Sequence, residues 1–103
     1  MSPRLIQLQK LHAADPRDPF LTYGIALEHA KAGAFDDAIT WLDNTLLIDP
    51  KYCYAYFQKS KMLSEKGEEE AAKAVLREGM AVAQTAGDAH AASEMAQLLE
   101  SMG

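Results

Sequence analysis

The residues from Tyr52 to Phe57 are the ones whose types could do chemistry. Three tyrosines, Tyr52, Tyr54 and Tyr56, together with Phe57 surround Cys53, the only cysteine of the chain. A cofactor pocket, a stacking platform for nucleic-acid bases and an ordinary helix packed on two sides would all contain such a run. The spacing of residues elsewhere in the chain has to decide among these three interpretations.

Residues that commonly hold metal ions or act as nucleophiles are few and far apart. His12, His29 and His90 show no metal-ligand spacing, and no second cysteine accompanies them. The chain also lacks the short motifs of phosphate-binding loops, nucleophile elbows and zinc proteases. Cys53 has no neighbouring histidine or aspartate in sequence, so we interpret it as a half-buried structural thiol. We therefore predict a protein that is not an enzyme and has no metal site and no cofactor.

Composition limits the class of partner. The chain has 103 residues and 49% hydrophobic content, which suit one domain with its own core. Fifteen acidic residues against ten basic ones give a net charge of −5, without a local block of lysine or arginine. This charge disfavours nucleic acid as a partner. The amino terminus lacks a signal-peptide core and no segment has the length of a membrane span, so we expect a cytoplasmic protein without a membrane partner.

Turn-forming residues recur at a fixed period. The Asp-Pro pair at 15–16 returns at 49–50, and Gly33 returns as Gly67, so both kinds of breaker share a period of 34 residues. A period of this length is typical of stacked supersecondary units. Over the same distance small residues align with small ones and large apolar residues with large ones: Ala26 with Ser60, Ala38 with Ala72, and Leu42 with Leu76.

Each period contains two predicted helices, because apolar residues recur at three- and four-residue spacing on both sides of a glycine. Asp18 before Pro19 suits a helix N-cap followed by the first helical position. The predicted helices are 3–14, 19–32, 35–48, 53–66, 69–83 and 88–101. The predicted fold class is therefore all-α, an α–α superhelix built as a short solenoid of about six helices in antiparallel pairs.

The residues that carry this period resemble the tetratricopeptide repeat family, whose unit is a 34-residue helix-turn-helix. In the first full period Ala26 and Ala38 occupy the small positions and Pro50 the closing proline, while in the second period Gln84 replaces the proline. The resemblance covers nearly the whole chain. It implies one domain over 1–103, divided into a half-repeat helix (1–16), a repeat (19–52), a second repeat (53–86) and a capping helix (87–103).

The resemblance further implies a concave groove lined by the first helix of each pair. The period places aromatic and apolar residues in rows on one face of these helices, although each aromatic could instead pack into neighbouring helices. We predict a noncatalytic protein-protein interaction module that binds an apolar or aromatic-bearing peptide segment. The residues predicted to line its groove are Phe20, Tyr23, Leu27, Tyr54, Phe57, Gln58, Lys61 and Met95.

Charges near the predicted groove indicate what it binds. Some relatives grip the acidic tail of heat-shock chaperones with lysine, arginine and asparagine. The positions of that clamp correspond here to Tyr23, Leu27, Gln58, Asp88 and Ala92. Asp88 would repel a carboxylate, so the resemblance implies a more apolar target in a groove of mixed charge.

A structural, self-assembling unit is the alternative function. Repeat arrays need polar caps at both ends, and both end helices of this chain contain many apolar residues. A homodimer could therefore form through the exposed end helices. The residues concerned are Ile6, Leu8 and Leu11 in the first helix, and Met95, Leu98, Leu99 and Met102 in the last.

One glycine predicts a close contact between helices. Gly79 lies inside a predicted helix, where glycine costs about 1 kcal/mol relative to alanine. A close neighbour would offset this cost, since helix axes approach to about 8–10 Å only where contact residues are small. We therefore predict that Gly79 faces an adjacent helix.

Overall fold

The computed structural model describes residues 2–103, and these residues form six α-helices without a β-strand. The predicted all-α class is confirmed, and the six predicted helices are all present. The largest boundary difference is in the fifth helix, which continues to Ala86 rather than ending at 83. The helices are α1 (Pro3–Ala14), α2 (Pro19–Lys31), α3 (Phe35–Ile48), α4 (Cys53–Glu65), α5 (Glu69–Ala86) and α6 (Ala89–Ser101).

Local chemistry sets the helix ends. The carboxylate of Asp18 accepts a hydrogen bond from the Phe20 amide at 2.9 Å, and Pro19 is the first residue of α2, as predicted. A glycine ends the fifth helix: the C-cap residue of α5 is Gly87, whose φ of 74° lies in the left-handed region. Gly33 and Gly67, the glycines that recur at the 34-residue period, have φ of 77° and 83° in the same region, so the chain also turns after α2 and after α4.

The helices pack as antiparallel pairs that follow one another along the chain. The pairs are α2 with α3 and α4 with α5, while α3 packs on α4, α5 on α6, and α1 on α2. Ala26 and Ala38 are fully buried in one core cluster, and Ser60 and Ala72 are equally buried one period later. Small residues therefore lie in the buried core of each pair, where they permit close packing.

Gly79 faces both neighbours of α5, which confirms its predicted role. A Cβ atom built on it would lie 2.6 Å from Cβ of Tyr56 in α4 and 2.7 Å from Sδ of Met95 in α6. Both distances are far below van der Waals contact. The absent side chain therefore lets α4 and α6 approach α5 closely.

Buried polar groups are paired. The hydroxyls of Thr22 in α2 and Thr45 in α3 lie 2.8 Å apart in the core, and the Tyr56 hydroxyl donates to the Pro50 carbonyl at 3.1 Å. No buried side-chain nitrogen or oxygen in the described part of the chain lacks a partner. The core thus avoids the cost of about 1–3 kcal/mol for each unsatisfied group.

The first helix is attached to α2 by an apolar contact and an ionic one. Leu5 and Leu8 pack with Leu21 and Ile25 of α2 in one cluster. Beside this cluster the Glu28 carboxylate accepts a hydrogen bond from the Ser2 hydroxyl at 3.0 Å and pairs with Lys31 at 3.1 Å and Arg4 at 3.5 Å. The Glu28 side chain is only 6% exposed, so its charge depends on these partners.

Acid is expected to weaken this attachment. The hydrogen bond from Lys31, more than any other contact, holds the pKa of Glu28 below its ordinary value, and Ser2 and Arg4 add to the effect. A folded pKa below the unfolded one means that Glu28 stabilises the fold above about pH 4.3, and that this contribution is lost as pH falls through the lower folded pKa. Glu28→Gln should therefore be less stable than wild type at neutral pH and lose less stability in acid.

Urea unfolding at a series of pH values between about 7 and 3 measures this difference. Glu78→Gln is the matched control, because Glu78 is exposed and makes no ion pair within residues 2–103. Parallel stability curves for Glu28→Gln and wild type would show that the carboxylate does not hold α1.

Candidate functional site

Two parallel stripes of side chains form the candidate site. Residues spaced by three and then four positions share one face of a helix. On α2 this face carries Phe20, Tyr23 and Leu27, which are exposed or half-buried, whereas Leu21 and Ala26 of the same helix are buried. One period later the same face of α4 carries Tyr54, Phe57 and Lys61, with Gln58 beside them.

The stripes are partly buried and partly accessible. Phe20 exposes 64% of its surface, and Lys61 is also exposed. Tyr23, Tyr54 and Phe57 are half-buried, each with partly buried surface packed against a core cluster. The aromatic rings are therefore held in place by the core and still present surface to solvent. Leu27 and Gln58 are half-buried as well.

The aromatic rings of the two stripes contact further groups. Tyr54 and Phe57 meet edge to face, with ring centroids 6.1 Å apart, and Nζ of Lys61 lies 5.5 Å from the centroid of the Phe57 ring. Tyr23 packs on Tyr52, at 4.9 Å between centroids. Such contacts fix the rings and reduce the entropy lost when a partner binds.

Tyr52 was missed as a candidate site residue. It precedes α4 as the N-cap residue, so the helical spacing that selected the other residues does not reach it. The signal that could have found it is the aromatic run itself. Tyr52 connects the two stripes because it contacts Tyr23 of α2 while leading directly into α4.

Met95 does not belong to this surface, and the prediction that it lines the groove is wrong. Its side chain is fully buried in a core cluster with Tyr56, Leu76 and other residues of α4, α5 and α6. The space that Gly79 leaves empty is filled in part by the Met95 sulfur. The 34-residue period aligns Met95 with Lys61. However, α6 packs against α5, and the Met95 side chain faces this contact.

The tyrosine hydroxyls remain protonated at neutral pH. Burial raises the pKa of Tyr52, with Tyr23, Asp18 and Asp49 adding to the rise. Burial likewise raises the pKa of Tyr54, helped by nearby Glu94 and Asp88. In Tyr23 burial raises the pKa and the neighbouring Gln58 amide opposes that rise. These phenols can donate hydrogen bonds but cannot serve as bases.

Cys53 is more deeply buried than predicted, with 6% of its surface exposed. Its thiol lies 3.4 Å from the Lys51 carbonyl, the acceptor of its hydrogen bond. Burial raises its pKa, and the charge of Asp88 acts in the same direction. The thiol is therefore a structural group of the core, as predicted, rather than a nucleophile.

Three lysines lie in α4 or directly after it, and two of them, Lys59 and Lys66, are engaged in ion pairs away from the groove. Lys59 pairs with Asp43 at 2.8 Å, and Lys66 pairs with Asp36 at 2.6 Å and Glu68 at 3.0 Å. Lys61 makes no ion pair with any residue of the described range. Lys61 is therefore the lysine of α4 that remains free to meet a partner.

The end helices expose less apolar surface than predicted. In α1 Leu8 is buried, while Ile6 and Leu11 are 43% and 50% exposed. Ile6 and Leu11 are separated by about 140° around the helix axis, so they form no common patch. In α6 Met95 is buried and the other predicted residues pack against the core: Leu98, Leu99 and Met102.

Among residues 2–103 no group of three or more His, Cys, Asp or Glu side chains is arranged to hold a metal ion. Over this range no helix combines the length and the apolar character needed to cross a membrane.

Comparison with solved structures places the fold among tetratricopeptide-repeat proteins. A tetratricopeptide repeat domain protein from Salinibacter ruber shares 26% identity with a TM-score of 0.79, and the match covers 85% of this chain and 89% of that one. The type III secretion translocator chaperone SycD of Yersinia enterocolitica has a TM-score of 0.85 at 20% identity, over 95% of this chain and 68% of that one.

A third similar structure contains a bound segment. PcrH, in complex with the chaperone binding region of PopD, has a TM-score of 0.87 at 17% identity, over 95% of this chain and 74% of that one. No protein-family model matches the sequence, and no curated protein matches it. The resemblance inferred from the 34-residue period is thus confirmed by the structures that share its fold.

Proposed function

We propose that this chain is a noncatalytic protein-interaction module that binds an apolar or aromatic-bearing peptide segment along the stripes of α2 and α4. The observation that carries the proposal is that the aromatic rings of both stripes are partly exposed to solvent. Phe20 exposes 64% of its surface. Tyr23, Tyr54 and Phe57 are half-buried, and each packs against a core cluster that holds its ring in place. Rigid aromatic area of this kind is the usual source of binding energy at protein interfaces.

The structural neighbours support this function. PcrH has the same fold and is seen with the chaperone binding region of another protein, so a chain of this architecture can hold a segment of a partner. The proposed binding residues are those predicted from the sequence, without Met95 and with Tyr52 added: Phe20, Tyr23, Leu27, Tyr52, Tyr54, Phe57, Gln58 and Lys61.

The division of the chain into a half-repeat helix (1–16), two repeats (19–52 and 53–86) and a capping helix (87–103) belongs to the same proposal. The cytoplasmic location and the exclusion of nucleic acid and membrane as partners stay predictions from composition.

Removing two aromatic rings from the groove should weaken the binding of a partner. We expect Tyr23→Ala combined with Phe57→Ala to weaken binding at least about tenfold, since truncating one central aromatic commonly costs more than 1 kcal/mol. The measurement is affinity purification with mass spectrometry, comparing wild type and the double variant. Circular dichroism verifies that the variant remains folded.

Ile6→Ala combined with Leu47→Ala is the matched control for this experiment. It removes two apolar side chains from exposed positions of α1 and α3, where Leu47 is 81% exposed, and it should retain every partner that binds in the groove. Were the folded Tyr23→Ala, Phe57→Ala variant to retain all partners too, the assignment of the groove would be wrong.

Self-association is the second candidate function, and the exposed leucines favour it. Leu11 and Leu47 are 50% and 81% exposed on α1 and α3. One structure of the neighbour SycD is described as an alternative dimer. Light scattering over a dilution series separates the two candidates, because a strict monomer at high concentration removes the case for self-association.

A further inference from the structure

Carboxylates line one edge of the proposed groove, at or near the amino-terminal ends of α2, α4 and the neighbouring α6. Asp18 caps α2, Asp88 caps α6 by accepting from the Ala91 amide at 3.0 Å, and Asp49 precedes α4. None of these three carboxylates has an ion-pair partner in residues 2–103. The fourth, Glu94, lies 2.6 Å from His90 and is 37% exposed.

Two tyrosines of the candidate site lie among these carboxylates. The Tyr52 amide donates to the Asp49 carbonyl at 3.1 Å, and its ring packs on Tyr23 in the first turns of α2, the helix that Asp18 caps. Tyr54 packs against the cluster that contains Ala91 and Met95 of α6, where Asp88 accepts from the Ala91 amide and Glu94 directly precedes Met95. Burial raises the pKa of both phenols, and these carboxylates add to the rise. A cation placed beside such a ring would gain from the carboxylates and from the ring face together. The edge therefore suits a basic side chain and disfavours an acidic one.

The opposite end of the α4 stripe carries the reverse charge. Lys61 follows Tyr54 by seven residues, which is about 10 Å along a helix. It lies over the Phe57 ring without an ion-pair partner in the described range. A cation docked at this end would be repelled, so apolar surface separates a cation-attracting end from a cation-repelling end.

We propose that the groove selects a segment of a protein partner that combines apolar side chains with a lysine or arginine at one end. The apolar side chains pack on Phe20, Tyr23 and Phe57, and the basic side chain docks beside Tyr54, Glu94 and Asp88. Charge complementarity fixes the orientation of the segment while the aromatic rings supply most of the affinity. This inference rests on the proposed peptide-binding function and names the chemistry of the peptide.

The probe is a random 12-residue peptide library displayed on phage and selected on the full chain. The tightest peptides are synthesised with a fluorescent label, and their binding is measured by anisotropy. Their lysine or arginine is then replaced by glutamine. We expect the selected peptides to be apolar with a basic end, and the replacement to weaken binding about threefold to tenfold.

In the Glu94→Gln variant, the selected peptide and its glutamine version should bind with nearly equal affinity. Glu100→Gln is the control, because it makes the same charge change on the exposed side of α6 and should leave the advantage of the basic residue intact. This comparison separates a local contact from the attraction of any basic peptide to a chain of net charge −5.

The outcomes distinguish this inference from the proposed function. Apolar peptides that lose binding in Tyr23→Ala, Phe57→Ala but show no basic preference, or an equal effect of both glutamine variants, would overturn the inference and leave the function standing. Failure to select any peptide whose binding depends on Tyr23 and Phe57 would overturn both.

Discussion

Gly79→Leu should lower the free energy of unfolding by about 3 kcal/mol or more, a large part of the roughly 5–15 kcal/mol that stabilises a typical domain. Even the first added carbon would lie 2.6 Å from Cβ of Tyr56, an atom that cannot move without its helix. Leucine adds three more carbons at a position that is already filled. Thermal and urea unfolding, followed by circular dichroism, measure the loss.

Two alanine variants control this prediction. Glycine to alanine inside a helix gains about 1 kcal/mol in helix propensity wherever space permits. At Gly24 the new Cβ would approach the flexible end of Leu8 at 3.3 Å, so Gly24→Ala should be neutral or stabilising, whereas Gly79→Ala should destabilise. An unchanged thermal midpoint for Gly79→Leu would contradict the close packing of α4, α5 and α6.

Met95→Ala should cost about 2–5 kcal/mol, the usual range for truncating a large side chain in a core. Met95 is fully buried, and it connects α6 to the cluster that contains Tyr56 and Leu76. The loss should appear as a lower urea midpoint with an unchanged slope. Where the variant remains folded, the dissociation constant of a groove-binding peptide should change little, because Met95 does not reach the surface.

Gln97→Ala is the matched control in the same helix. Gln97 is exposed, so the substitution should alter stability by less than about 0.5 kcal/mol. A stable Met95→Ala variant with greatly weakened peptide binding would restore Met95 to the groove and refute its assignment to the core.

Helix content and helix order were determined by the sequence alone. The breakers at Pro16, Gly33, Pro50 and Gly67 act through local backbone sterics, which do not depend on the rest of the fold. The same holds for Asp18, whose carboxylate caps α2 in the structure. Small residues such as Ala26 and Ala38 also indicated the buried interior of each pair, because size limits how closely helices approach.

Which large side chains face the groove and which face the core was decided only by the tertiary structure. Helical spacing groups residues on one face, but the rotation of that face depends on which neighbours the helix has. Met95 aligns with Lys61 in sequence and still lies in the core, because its side chain packs into the space that Gly79 leaves in α5.

The tertiary structure also determined which lysine remains without an ion pair and which aromatic rings contact each other. Lys59 and Lys66 are neutralised by carboxylates of α3 and of the turn before α5, which leaves Lys61 as the lysine of α4 open to a partner. Tyr52 reaches Tyr23 across 29 residues of sequence, at 4.9 Å between their rings. Neither pairing leaves a local signal, because each joins side chains that only the packing of separate helices brings into contact.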